Sequence, residues 1–299
     1  MELNIEVPRA FSFKRTAISH GWYDLPPFSL NVEDWTLTRV IDLDNGPLEV
    51  SISTSRDGLR IELAGRPGKR GVEKVISDVR HMLRLDEDLT GFYAAVAGEP
   101  CFSWIGESGA GRLLRSPTVF EDLVKTICTT NCSWALTAKM VNSLVNHLGN
   151  PTRSGRRSFP SPQALADQPL RFYRDKVSAG YRAPYLKELA KRVASGDLDP
   201  EAWLTSNLPT IELKQQIKQV KGAGDYAAEN LLKLLGRYDV LALDSWVRAK
   251  FARTRNGARK TSDKKIERHY ARYGEWRGLA LWCDLTGDWM EGESVSGFY

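Results

Sequence analysis

The chain has 299 residues, 42% of them hydrophobic and 26% charged, with a formal net charge of +5. That length allows a real core in one large or two medium domains, and the composition is that of an ordinary globular protein. No apolar run approaches the ~18 residues of a membrane span, and the first residues, "MELNIEVPRAFSFKRTAISHGW", scatter charge and hold no apolar signal core. The expectation is a cytosolic protein that is not secreted.

Residues 1 to about 100 read as β-rich. "WTLTRVIDL", "LEVSIST" and "LRIELAG" alternate apolar and polar residues and are joined by "DNGP" and "RDG". That pattern predicts an antiparallel meander of three short strands. "GVEKVISDVRHMLRL" then places Val75, Ile76, Val79, Met82 and Leu83 at helical spacing. From about 115 onward the pattern is helical. "SPTVFEDLVKTICTTNC" opens with Ser-Pro and carries Phe120, Leu123, Val124 and Ile127 on one face. "WALTAKMVNSLVNHLG" follows and ends in a glycine that predicts a C-cap. "SPQALADQ", "APYLKELAKRVASG", "DPEAWL", Ile211 to Val220, Tyr226 to Leu235 and "EWRGLALWCDL" predict further helices. The composition shift predicts a β-rich N-terminal domain, 1–110, packed with the C-terminal helix, and a helical domain, 111–299. The fold class is α+β, mostly α.

Charge and cysteine are unevenly placed. From Ser245 to Glu275 there are ten Lys/Arg against three Asp/Glu, a local net charge of +7, which leaves about −2 for the rest. Such a block is either a solvated surface or a polyanion site. Four cysteines do not make a disulfide framework at this size. Cys128 and Cys132 can share a helix face, but no histidine lies near them to complete a zinc site, so they read as core or pocket thiols.

The stretch "KGAGDYAAEN", residues 221–230, contains G-x-G-x-x-A, and Asp244 follows twenty residues after Gly224. A dinucleotide fingerprint has that spacing, but it needs a buried strand before the first glycine. Here "IELKQQIKQV" precedes it, with six of ten residues Glu, Lys or Gln, and 77 residues follow Gly222, too few for a doubly wound sheet. A nucleotide-dependent oxidoreductase is therefore disfavoured. Helix, tight glycine turn, helix is the better reading, with backbone N–H groups and a helix N-terminus turned outward for a phosphate. Asp244 then stands in the apolar stretch "YDVLALDSWVRAKF", directly before a helix. It reads as an N-cap, as a functional acid, or as both.

"VKGAGDYAAENLL…LALDSW" resembles the helix–hairpin–helix (HhH-GPD) DNA glycosylases, and "TICTTNCSW", "FPSPQALA", "GYRAPYLKELAKRV" and "YGEWRGLALW" fall in the order seen in the 8-oxoguanine and 3-methyladenine glycosylase branch. The resemblance runs from about 115 to 285. It implies that Gly222 and Gly224, preceded by Lys221, hold a DNA phosphate, and that Asp244 is catalytic. It implies that Asn131 fills the gap left by a flipped base, with Tyr181 as the wedge and Arg182 reading the base opposite. Leu136 stands where a second such arginine is expected. Trp282 stacks on the flipped base, and Tyr226, Asn230 and Gly278 complete the pocket, Gly278 replacing a base-reading glutamine. Arg248 and Lys250 from the basic block would bind the backbone. The segment "SHGWYDLPPF" belongs either to the pocket wall or to ordinary packing.

Two departures shape the expected chemistry. Tyr226 stands where bifunctional relatives carry a nucleophilic lysine, so no Schiff base with the sugar is expected. Lys221 is disfavoured as a substitute amine, because a nucleophile must reach the sugar carbon and this one lies on the phosphate side. The four-cysteine cluster signature of some relatives is absent, since only Cys283 lies near the C-terminus. No cofactor and no iron–sulfur cluster are expected, and a monovalent cation at the hairpin turn is compatible with the motif. The resemblance implies a monomeric, monofunctional glycosylase on damaged double-stranded DNA, with an alkylated purine as the favoured base. The alternatives are a bifunctional oxidised-purine glycosylase/lyase and a non-catalytic lesion-binding protein on the same fold.

Overall fold

The computed structural model describes residues 1–290. Its sheet has five antiparallel strands: β1 (Glu2–Ile5), β2 (Ser29–Asn31), β3 (Thr36–Leu43), β4 (Gly46–Ser55) and β5 (Gly58–Leu63), in the order β1-β5-β4-β3-β2. The predicted meander is β3-β4-β5. Its two turns are tight, with Leu43 opposite Gly46 and Ser55 opposite Gly58. The edge strands β1 and β2 go beyond the expected three; they are four and three residues long, too short for an alternation to register.

Register places one face of the sheet on the core. Leu37 lies opposite Ile52, Arg39 opposite Val50, and Ile52 opposite Ile61, and all of these side chains are buried. Arg39 is the exception in chemistry. It crosses to the helix Val119–Thr129 and forms a two-pronged bond with Glu121, at 3.0 and 2.6 Å, while Lys125 reaches the same carboxylate at 2.8 Å. This helix is buried over nearly its whole length. Thr118 caps its start by accepting from the Glu121 N–H.

The helices predicted within 71–85, 116–132, 134–149, 183–196, 211–220, 226–235 and 275–285 are present as Lys69–Met82, Val119–Thr129, Trp134–Leu148, Ala183–Ala194, Thr210–Lys218, Asp225–Leu234 and Arg277–Thr286. "SPQALADQ" forms the short helix Pro162–Ala166, and "DPEAWL" forms a 3-10 turn, Pro200–Thr205, and not an α-helix. Gly149 ends the helix Trp134–Leu148, but in extended backbone (φ −71°, ψ 147°) and not in the left-handed cap that a terminal glycine predicts. A Cβ there would sit 2.0 Å from the Ser158 carbonyl oxygen, so close approach is what requires glycine. The buried apolar side chains of sheet and helices form one continuous cluster. Among the described residues no helix is long and apolar enough to cross a membrane.

Candidate active site

The helices Thr210–Lys218 and Asp225–Leu234 form the predicted hairpin. Its two glycines do different work. Gly222 has φ +92°, a conformation that side-chain-bearing residues rarely adopt, and a Cβ there would meet Tyr185 at 3.0 Å. Gly224 has ordinary φ and open space around its missing side chain. It is the N-cap, and its lack of a side chain leaves the first N–H groups of the helix uncovered. The helix itself is anchored by Ala227, Ala228, Leu231 and Leu232, all buried. Its C-terminus is capped from the N-terminal region: the Arg84 guanidinium donates to the carbonyls of Lys233 and Leu234.

Glu229 connects this helix to the acid. One oxygen accepts from Lys214 at 2.6 Å and the other from the Ala242 N–H at 2.8 Å. Ala242 has φ +52°, a strained setting for a residue with a side chain. That clamp fixes the loop leading to Asp244. Asp244 is the N-cap of the helix Ser245–Arg255, accepting from the Val247 N–H at 2.6 Å through Oδ1. Among the described residues its other oxygen makes no hydrogen bond or ion pair and is free to act in the cavity it lines. Cap and functional acid coexist in one residue.

That cavity holds about 950 Å³ and is open to solvent on one side. Tyr226, Asn230, Asp244 and Trp282 all line it, as do Gly222, Gly224, Asn131, Tyr181 and Arg248. Tyr226 is largely buried, which pushes its phenol above the usual range, and it is hydrogen-bonded to Thr129. The Asn230 amide donates to the Tyr226 carbonyl at 2.9 Å. The Trp282 indole is pinned by the Ser19 carbonyl at 2.8 Å and lies 5.8 Å from the Trp246 ring. From "SHGWYDLPPF", His20, Gly21 and Trp22 form part of the wall.

Asn131 and Tyr181 meet at the cavity rim, with the Asn131 amide 3.4 Å from the Tyr181 hydroxyl. Asn131 has φ +47°, and Tyr181 is 51% exposed, one of the few exposed large apolar side chains. Two residues fifty positions apart thus form one projecting pair.

Other expected residues lie elsewhere. Arg182 does not present a base-reading guanidinium: it is 3% exposed, bonded to the Thr130 carbonyl and hydroxyl, and stacked 4.5 Å over the Tyr181 ring. It supports the projecting pair from behind. Gly278 is not in the pocket. It packs on the loop before Asp244, donating to the Tyr238 carbonyl at 2.7 Å, and a Cβ would lie 1.9 Å from the Val240 carbonyl oxygen. Lys250 points away from the cavity to Asp288. Lys221 is on the exterior, paired with Glu188 at 2.8 Å. Arg248 borders the cavity but pairs with Asp263 at 2.7 and 3.0 Å. With Arg255–Asp284 and Arg272–Glu99, four of the ten basic residues of the block bind carboxylates of the protein itself.

Lys233 is the residue that sequence reasoning missed. It is 3% exposed yet lines the cavity, with Nζ 4.5 Å from the Trp282 ring centroid. Burial lowers its pKa to about 8, against the opposing pull of Asp244 and Glu229. Its signal was present: Tyr226, Asn230 and Lys233 are spaced i, i+4, i+7 and so share one helix face.

Residues 124–275 match the model of the family described as HhH-GPD superfamily base excision DNA repair protein. No curated protein matches the chain. Among solved structures, the 3-methyladenine DNA glycosylase from Archaeoglobus fulgidus superposes with a TM-score of 0.75 at 20% identity, covering 98% of this chain and 100% of that one. The Clostridium acetobutylicum 8-oxoguanine glycosylase/lyase, bound to DNA with cytosine opposite 8-oxoguanine, gives 0.74 at 18%, over 96% and 97%. MBOgg1 in complex with a low affinity DNA ligand gives 0.75 at 20%, over 97% and 96%. At such identities the likeness establishes the fold. It is equally close to enzymes named for different bases, so the choice of base has to come from this chain's own cavity.

Proposed function

The chain belongs to the HhH-GPD superfamily of base excision DNA repair proteins, and we propose that it is a monofunctional DNA glycosylase that hydrolyses the N-glycosidic bond of a damaged base flipped from duplex DNA. The observation that carries this reading is Asp244: a carboxylate locked by a cap bond in the lining of a cavity of about 950 Å³ whose wall includes Trp282 and whose rim carries Asn131 and Tyr181. A base inside a duplex cannot be attacked, so the nucleotide must leave the stack. Asn131 and Tyr181, exposed at the rim, occupy the hole, and Trp282 offers a stacking face, typically worth ~1–3 kcal/mol per base. The hairpin N–H groups and the free part of the basic block hold phosphates, which makes binding salt-dependent. Bond cleavage develops oxocarbenium character on the sugar. Asp244 stabilises that charge and orients the attacking water.

Strand cleavage needs an amine at the sugar. Tyr226 occupies the helix position beside the hairpin, and Lys221 faces outward to Glu188. Lys233 lies seven residues beyond Tyr226, about 10 Å deeper along the helix, over the stacking ring. That position serves the base, not the sugar. A purely DNA-binding protein has no use for an acid in the cavity lining.

The test is incubation with duplexes bearing deaminated, oxidised or methylated bases, followed by strand analysis with and without alkali. Breaks should appear only after alkali. Breaks without alkali, or a borohydride-trapped adduct, would show a lyase, and no abasic sites from any duplex would show a binder.

A further inference from the structure

Lysine is almost never fully buried without a partner, because the desolvated ammonium must be compensated. Lys233 breaks that habit. Among the described residues its Nζ has neither an ion pair nor a hydrogen bond, only the face of Trp282 and the open cavity. It is held there deliberately from both ends. Arg84 fixes its backbone carbonyl at 2.8 Å, and the Ser19 carbonyl fixes the ring beneath its ammonium. Hydrolysis directed by Asp244 makes no use of this cation.

We propose that Lys233 donates to an acceptor on the flipped base and stabilises the negative charge that the base carries as it leaves, so that the site favours neutral deaminated or oxidised bases and rejects cationic alkylated purines. This rests on the glycosylase reading above. The C1′–N bond breaks heterolytically, and the bonding pair departs with the base. The water oxygen bonds to C1′, and its proton goes to Asp244. The base anion takes its proton from Lys233, and exchange with solvent restores both side chains. A neutral leaving base needs that donor. A cationic base does not, and its charge meets the ammonium: two unit charges about 5 Å apart at an effective dielectric near 20 repel by at least about a hundredfold in affinity.

A second wall residue fits the same class of base. His20 Nε2 lies 2.5 Å from the Leu114 carbonyl, which can only accept, so this nitrogen carries the ring proton. Burial lowers the His20 pKa to about 3, so the ring is neutral and Nδ1 is an acceptor. The cavity wall therefore carries an ammonium donor and a neutral imidazole with one acceptor nitrogen. Uracil, hypoxanthine and 8-oxoguanine each carry a carbonyl beside a ring N–H, the complementary pattern; 7-methylguanine carries it too, so discrimination between the two classes rests on the charge of Lys233. Gly278, whose place in the family pattern counted against reading of 8-oxoguanine, lies outside the cavity and so does not bear on the choice of base.

The experiment is single-turnover base release from duplexes carrying uracil, hypoxanthine, 8-oxoguanine or 7-methylguanine, by wild type and Lys233→Met. Thermal unfolding and binding to an abasic-site duplex report folding. Should Lys233→Met fail to fold, Lys233→Gln carries the same expectation. Wild type should release at least one neutral base about a hundredfold faster than 7-methylguanine. Lys233→Met should slow that release by about 10²–10³-fold and leave 7-methylguanine release unchanged or faster. Fastest release of 7-methylguanine by wild type, an equal loss on both classes, or full activity of Lys233→Met on the neutral base each overturns the proposal. A borohydride adduct that disappears in Lys233→Met would move the amine to the sugar and overturn it as well. Absence of release from every duplex overturns the glycosylase reading itself.

Discussion

Lys125 and Lys233 are both almost fully removed from water, on two helices that pack against each other. Lys125 belongs to a closed cluster. Glu121 lies 2.8 Å away, Arg39 shares the same carboxylate, and the rings of Phe28 and Phe159 surround the ammonium. Burial works to raise the Glu121 pKa, but Arg39 and Lys125 outweigh it and hold the carboxyl down at about 2. Lys233 faces a cavity, its nearest carboxylates act only at a distance, and its pKa falls to about 8. Buried charge alone therefore does not mark function. Buried charge left unmatched beside an open volume does, because only there can a ligand complete it.

The sharpest way to break that distinction is to remove one carboxylate from each region. Asp244→Asn keeps the cap, since Asn caps as well as Asp, and stability should change by no more than ~0.5 kcal/mol. Base release should fall by about 10³-fold while DNA binding survives. Glu121→Gln leaves two buried cations without the carboxylate that pairs with both, so urea unfolding should report a loss of about 3–5 kcal/mol. The base release of the folded fraction should stay at the wild-type level. If Glu121→Gln lost activity and Asp244→Asn lost stability, the assignment of the two regions would be reversed.

Truncating the lysines is the next largest contrast. Lys125→Met should cost about 3 kcal/mol by breaking the cluster. Lys233→Met removes a desolvated cation that has no partner to lose, and should be neutral or stabilising by about 1 kcal/mol. Chemical denaturation of both variants decides it. Equal destabilisation would mean that Lys233 is held by an interaction as strong as that of Lys125.

Titration separates the regions again. If the Lys233 ammonium is needed, release of a neutral base should decline above about pH 8, by about tenfold per pH unit at most. Asp244 and Glu229 oppose the loss of its proton, His20 is already neutral there, and burial raises Tyr226 above its ordinary range. The decline should vanish in Lys233→Met. The Glu121 cluster acts at the other end of the scale. Its lowered carboxyl contributes stability that is present above the ordinary carboxylate range and lost as pH falls from about 4.5 toward 2.

What could be read from the sequence was what short range determines. The hairpin, the capping role of Asp244 and the helices flanking them follow from glycine, cap and periodicity signals within ten or twenty residues. The cavity depends on contacts at long range. Ser19 pins Trp282 across 263 positions, and Arg84 caps Lys233 across 149; no local pattern announces either. Gly278 and Arg182 misled for a related reason. A missing side chain was read as empty pocket space where it permits backbone contact with Val240. The resemblance gave Arg182 as the reader of the base opposite, where it braces the Thr130 carbonyl.

The smallest expected effect divides the two hairpin glycines along the same line between closed and open. Gly222→Ala forces a side chain into φ +92° and against Tyr185, at a cost of about 1–2 kcal/mol, so thermal unfolding should shift. Gly224→Ala meets nothing within 4 Å and loses only a cap of moderate preference, about 0.5 kcal/mol. Its methyl group would instead stand beside the uncovered N–H groups. Binding to undamaged duplex at low salt should weaken by a few-fold, about what one compromised phosphate contact is worth. A Gly224→Ala protein that bound undamaged duplex as tightly as wild type would show that the exposed turn is a structural joint like Gly222, and that phosphates are held elsewhere on the basic face.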